Sequence, residues 1–169
     1  MIRRPLVPTR RSFLAGLALA PLAACAGTEA PLPANLRIRS VRIDTAPLAA
    51  RGLPTWAERI RTIAEASART VFADRDPTGV EVTLIADQAW LASYNGGGTP
   101  PFDDDPPTDW IEGWISIAGA RGTPPRRLRL YSSTWAADAG PWYAPDIDRL
   151  RLERLTRAWV ADARRRLAE

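Results

Sequence analysis

The chain has no histidine and no lysine, and only one cysteine, Cys25. Without histidine there is no Ser-His-Asp or Cys-His catalysis and no histidine-containing zinc site. Without lysine there is no Walker A loop, no Schiff-base chemistry and no Ser-Lys dyad. A single cysteine forms no disulfide within the chain. Carboxylates and arginines are the charged chemistry that remains. No apolar run is long enough to cross a bilayer, which takes about 20 residues; Ser12–Ala24 falls short. A basic surplus is also missing where it would count. The formal charge of +4 is matched by Arg3, Arg4, Arg10 and Arg11, so residues 25–169 are neutral. Phosphate neutralisation dominates nucleic-acid affinity, so a nucleic-acid partner is not expected.

Present instead is a segmented N-terminus. Arginines precede the apolar run, which ends in Leu22-Ala23-Ala24-Cys25. That length and those flanks are those of a signal peptide. Thr9-Arg10-Arg11-Ser12-Phe13-Leu14-Ala15 resembles the twin-arginine export motif, departing from it at Ala15. Leu22-Ala23-Ala24-Cys25 resembles the lipobox of bacterial lipoproteins. The resemblance implies export through Arg10, Arg11, Phe13 and Leu14, and cleavage directed by Leu22, Ala23 and Ala24. It further implies acylation of Cys25, hence a membrane partner through the lipid, and passage of an already folded domain. With Ala26-Gly27 and no Asp after the cysteine, the same resemblance implies the periplasmic face of the outer membrane rather than the inner membrane.

At 46% hydrophobic and 25% charged residues the chain is globular in composition. The expected organisation is a signal peptide over 1–24, a lipidated tether over 25–35 and one α+β domain over 36–169. Leu36–Asp44 reads as a strand whose apolar parity slips between Ile38 and Val41, which a bulge near Arg39-Ser40 repairs. Thr55–Phe72 reads as a helix opened by a Thr55–Glu58 capping box, with Trp56, Ile60, Ile63, Ala64, Ser67 and Val71 along one face. Strands follow over Val80–Ala86, Trp110–Ala118 and Arg126–Ser132, and a last helix runs from Asp146 or Asp148 to about Leu167. The order β-α-β-β-β-α predicts a small, mostly antiparallel sheet with two helices on one face. That order resembles the small α/β lipoproteins of bacterial envelope assembly machines, including the one that plugs the lipopolysaccharide-export barrel.

Few chemical constellations survive. Asp103-Asp104-Asp105, Asp109 and Glu112 read as a solvated acidic loop over 103–109, with a calcium site or a carboxylate pair as the sharper alternatives. Their spacing is not that of an EF-hand. Asp44-Thr45-Ala46 reads as an ordinary strand end, although it distantly resembles an aspartic-protease triplet with Ala46 in place of Gly. Gly96-Gly97-Gly98 is followed by Thr-Pro-Pro rather than a helix start, so it reads as loop. No metal or other cofactor is expected.

Seven tryptophans are the most unusual feature. Trp56 and Trp159 fall on helix stripes and read as core. Trp110 and Trp114 share one strand face, flanking Glu112, while Trp135, Trp142 and Tyr143 lie in a Gly/Pro segment. These five aromatics are the candidate partner or ligand surface, with a second small core as the plain alternative. The sequence points to a non-catalytic, membrane-anchored accessory or assembly subunit that binds an envelope protein or lipid. A ligand-binding module for a lipid or cell-wall fragment is the alternative, and a carboxylate-only hydrolase the remaining one.

Overall fold

The computed structural model describes Leu32 and residues 36–93, 107–119 and 125–169. Four strands, β1 (Ile38–Asp44), β2 (Val80–Trp90), β3 (Thr108–Ile117) and β4 (Arg126–Trp135), form one sheet in the order β1-β2-β3-β4. The first pair is parallel and the other two are antiparallel. Between β1 and β2 the chain makes a short helix α1 (Ala46–Ala50) and a long one, α2 (Pro54–Val71). After β4, a 3-10 turn (Ala136–Ala139) leads to α3 (Ile147–Arg166). The α+β class and element order are therefore those expected, with α1 added.

Parity decides which face of the sheet is covered. Ile43, Val82, Leu84, Ala86, Ile111, Ile115, Ile117, Leu128 and Leu130 all point to one side and are buried. Against them pack Ala57, Ile60, Ala64 and Ala68 of α2 and Leu152, Leu155, Trp159, Val160 and Ala163 of α3. Each large apolar side chain in this layer contributes about 1.5–3 kcal/mol on burial. β1 keeps its apolar residues inward because the ladder shifts register between Ile38 and Ser40. That is the bulge its parity slip demands.

Several local expectations are corrected. The Thr55–Glu58 capping box is not formed: Leu53 is the N-cap, without a side-chain cap, and Pro54 takes the first helical turn. Proline suits that position because its missing N–H has no helical partner there. Thr55 thus lies inside the helix. The buried line of α2 is Ala57, Ile60, Ala64 and Ala68, while Trp56, Ile63, Ser67 and Val71 form half-buried shoulders. β2 runs on to Trp90 through a second register shift between Ala86 and Gln88. β4 runs on to Trp135, so Trp135 belongs to the sheet and not to a Gly/Pro segment.

Before β2 the turn is held by Asp76. Its carboxylate accepts from the hydroxyl of Thr78 (2.6 Å) and from the Thr78 backbone N–H (2.8 Å). Arg37 donates to its other oxygen at 2.8 Å. The Thr78 hydroxyl and amide, with Arg37 behind them, lower the Asp76 pKa to about 2.

Candidate functional site

With the helices on one side, alternate residues of every strand face away from them. On this open face, Trp90 pairs with Trp110, which pairs with Ser133; Gln88 pairs with Glu112, which pairs with Tyr131; and Ile85 pairs with Trp114, which pairs with Arg129. Trp135 closes the same face opposite Thr108. Trp90, Trp114, Tyr131 and Trp135 are 53%, 36%, 54% and 58% exposed. Trp110 is half-buried because its ring stacks on Tyr131, with centroids 6.4 Å apart. Within this aromatic patch the Glu112 carboxylate is ion-paired with Arg129, so the patch carries no net charge.

The opposite end of the open face is polar. Arg42, Thr83, Ser116 and Arg127 are register partners in one row across all four strands. Arg42, Thr83 and Ser116 line a shallow cleft of about 150 Å³, with Ser40 and Glu81. Glu81 is engaged by Arg39 at 3.0 Å. Among the described residues, neither Arg42 nor Arg127 has a carboxylate within ion-pair distance.

A buried ion pair sets the aromatic end. Asp109 and Arg151 are 1% and 3% exposed at their side chains. Arg151 Nε donates to Asp109 Oδ2 at 2.9 Å, and Arg151 Nη2 donates to Asp109 Oδ1. The same carboxylate accepts from the Ala92 N–H at 3.0 Å, and the Ala92 carbonyl accepts from Arg151 at 2.7 Å. The pair therefore ties the start of α3 to the residue before Trp110 and to the backbone just past Trp90. Two aromatic residues on adjacent strands are held in register by one buried bidentate contact.

Both Asp109 oxygens are engaged by Arg151 and Ala92, and Glu112 lies on the open face with Arg129. The acidic cluster over 103–109 is thus not one site as far as its described members go; residues 103–105 lie outside the described residues. No group of three or more metal-ligating side chains occurs among the described residues. Asp44 caps the backbone instead, accepting from the Ala46 N–H at 2.9 Å. Trp142 and Tyr143 are exposed and meet edge to face at 5.7 Å. Trp142 does not join the sheet face. It lines an open cleft of about 490 Å³ with Trp56, Ile147 and Asp148 at the helix ends. The five predicted surface aromatics are therefore split: Trp110, Trp114 and Trp135 are brought together, and Trp142 with Tyr143 stands elsewhere.

Trp90 and Tyr131 join the first group and were not expected from sequence. Their signal was parity: Tyr131 shares a face with Arg129 and Ser133, and Trp90 reaches that face only after the bulge. Arg10, Arg11, Phe13, Leu14, Leu22, Ala23, Ala24 and Cys25 lie outside the described residues. Among the described residues no helix is long and apolar enough to cross a membrane.

No protein-family model and no curated protein matches the chain. Among solved structures, the chain is similar to a minor lipoprotein from Acinetobacter baumannii, with a TM-score of 0.34 and 11% sequence identity, covering 82% of this chain and 90% of that one.

Proposed function

We propose that this chain is a lipid-anchored protein of the bacterial envelope that acts without catalysis, as an accessory or assembly subunit. It is held to the membrane through acylated Cys25 and engages a protein or lipid partner through the open sheet face. The observation that carries this reading is the cluster Trp90, Trp110, Trp114, Tyr131 and Trp135 on the face without helices. Leaving a large apolar side chain in water forgoes about 1.5–3 kcal/mol. Contiguous exposed apolar surface is the mark of an interaction site. The lipobox-like Leu22-Ala23-Ala24-Cys25 supports the anchor, and Ala26-Gly27 after it favours the outer membrane. Missing histidine and lysine support the non-catalytic role.

The test replaces Trp110 and Trp114 with Ser in the acylated protein. Since both rings point away from the core, the melting temperature should change little. Recovery of the partner from solubilised membranes should fall. Unfolding of the double variant, or full partner recovery, would overturn the proposal that this face does the binding.

A further inference from the structure

Resting on the lipid-anchor reading above, we infer that the open sheet face is a membrane-interface face: it lies flat on the bilayer to which Cys25 is anchored. Two chemistries on this face fit the two layers of a bilayer surface. The patch of Trp90, Trp110, Trp114, Tyr131 and Trp135 is aromatic and carries no net charge. Trp and Tyr are the side chains that settle at the headgroup level, apolar body inward and polar tip in the wet layer. The row Arg42–Thr83–Ser116–Arg127 offers two guanidinium groups without carboxylate partners among the described residues, and two hydroxyls between them. The shallow cleft of about 150 Å³ beside Arg42, Thr83 and Ser116 has room for a phosphate group, the carboxylate at its edge, Glu81, being held by Arg39. Arginine matches phosphate oxygens with parallel N–H donors, so this row complements lipid headgroup phosphates.

Chain connectivity supplies the reach. β1 starts beside the start of β2, since Ile38 pairs with Val80, whereas Trp90 ends β2. The chain thus enters the sheet at the arginine end. From Cys25 to Leu32, which packs against the core, the backbone spans at most about 23–25 Å. The ten-residue strand β3 is about 33 Å long. A tether shorter than the sheet face is long keeps the domain close to the bilayer surface. A domain so confined meets the surface at high effective concentration, so weak interfacial contacts suffice to hold it down. The clefts beside α2 and α3 lie on the opposite layer and stay accessible from the periplasm in this orientation.

The experiment uses the acylated protein reconstituted into vesicles of phosphatidylcholine brominated near the glycerol end of one acyl chain, with and without phosphatidylglycerol. Bromine quenches tryptophan emission only at close range. Mass spectrometry and co-flotation first establish that Cys25 is acylated and that the protein is in the vesicles. An unmodified Cys25, or protein left at the bottom of the gradient, sinks the anchor reading itself. For anchored protein, quenching relative to unbrominated vesicles is expected. It should largely disappear in a Trp90→Phe/Trp110→Phe/Trp114→Phe/Trp135→Phe variant and persist in Trp142→Phe, whose ring stands off the sheet face. Phosphatidylglycerol should deepen the quenching, and Arg42→Gln/Arg127→Gln should remove that increment. Anchored wild-type protein with unquenched tryptophans overturns the inference, whatever the variants do. If that protein is also dimeric by sedimentation in detergent, a second copy covers the face; if it is monomeric and a benzophenone attached at Ser133→Cys cross-links it to another protein, that protein does.

Discussion

Arg151 is the residue on which the geometry of the site depends most. An arginine in a helix whose neighbours Arg149, Arg154 and Arg157 are wet reads as one more surface charge, so its burial was not legible in the sequence. Asp109 was misread for the same reason: three preceding aspartates made it look like the end of an acidic loop. Burying two charges is costly, and it is sustained here by bidentate geometry and by the Ala92 amide and carbonyl. Arg151→Met leaves the Asp109 carboxylate buried with, among the described residues, only the Ala92 N–H to satisfy it. The expected loss is about 3–5 kcal/mol, or a fall in melting temperature of roughly 6–20 °C for a domain of this size. Arg151→Met/Asp109→Leu removes the uncompensated charge and should recover part of that loss in urea melts. Hydrogen exchange at the Ala92 amide should be fast in the double variant, which removes its acceptor, Asp109 Oδ1, whereas the single variant retains that acceptor. A double variant as unstable as the single one would show that the charge pair is not the cause.

At the scale of the elements, apolar periodicity revealed more than any single residue type. The β1 bulge was legible because Ile38 and Val41 cannot face one core without it, and the ladder shifts register there. The β2 bulge was not, because Asp87-Gln88 looks like the end of a strand. The fold instead resumes pairing, with Ala89 turned inward opposite Ile111 and Trp90 outward opposite Trp110. Helix α2 was legible in extent but not in phase. Alanines at 57, 64 and 68 carry its buried line, and alanine gives a weak periodicity signal compared with Trp56 and Ile63. Gly113 makes the β2 bulge sterically possible. A Cβ there would lie 1.8 Å from the Ile85 carbonyl oxygen and 2.9 Å from its carbon. Both are backbone atoms, so no rotamer change relieves the clash. Gly113→Ala must push β2 and β3 apart where Trp114 pairs with Ile85. We expect a loss of about 1–3 kcal/mol from overpacking and a red shift of tryptophan emission as the aromatic rows separate. An Ala variant with unchanged stability and emission would mean that the strands do not approach this closely in solution.

For the whole molecule, the two ends of the sequence make one joint demand. The leader resembles a twin-arginine signal, a route that carries folded domains, so export should depend on the stability of everything downstream. The domain has the means to meet that demand in the cytoplasm. Its only cysteine is Cys25, so no disulfide has to wait for an oxidising compartment. Its core is a single layer of helices closed on one sheet face. Two variants separate signal from passenger. Arg10→Lys/Arg11→Lys conserves charge but removes the pair that the receptor reads; it should leave folded, protease-resistant precursor in the cytoplasm. Arg151→Met leaves the leader intact but weakens the fold by about 3–5 kcal/mol, a large fraction of the 5–15 kcal/mol that holds a typical domain together. It should reduce export as well, yet leave precursor that is protease-sensitive. Fractionation followed by limited proteolysis of the cytoplasmic pool reads both. The general secretory route passes unfolded chains, and there the Arg151→Met variant would be exported as well as the wild type. Normal export of both variants would therefore replace the twin-arginine route with the general one, while leaving the proposed lipid anchor at Cys25 untouched.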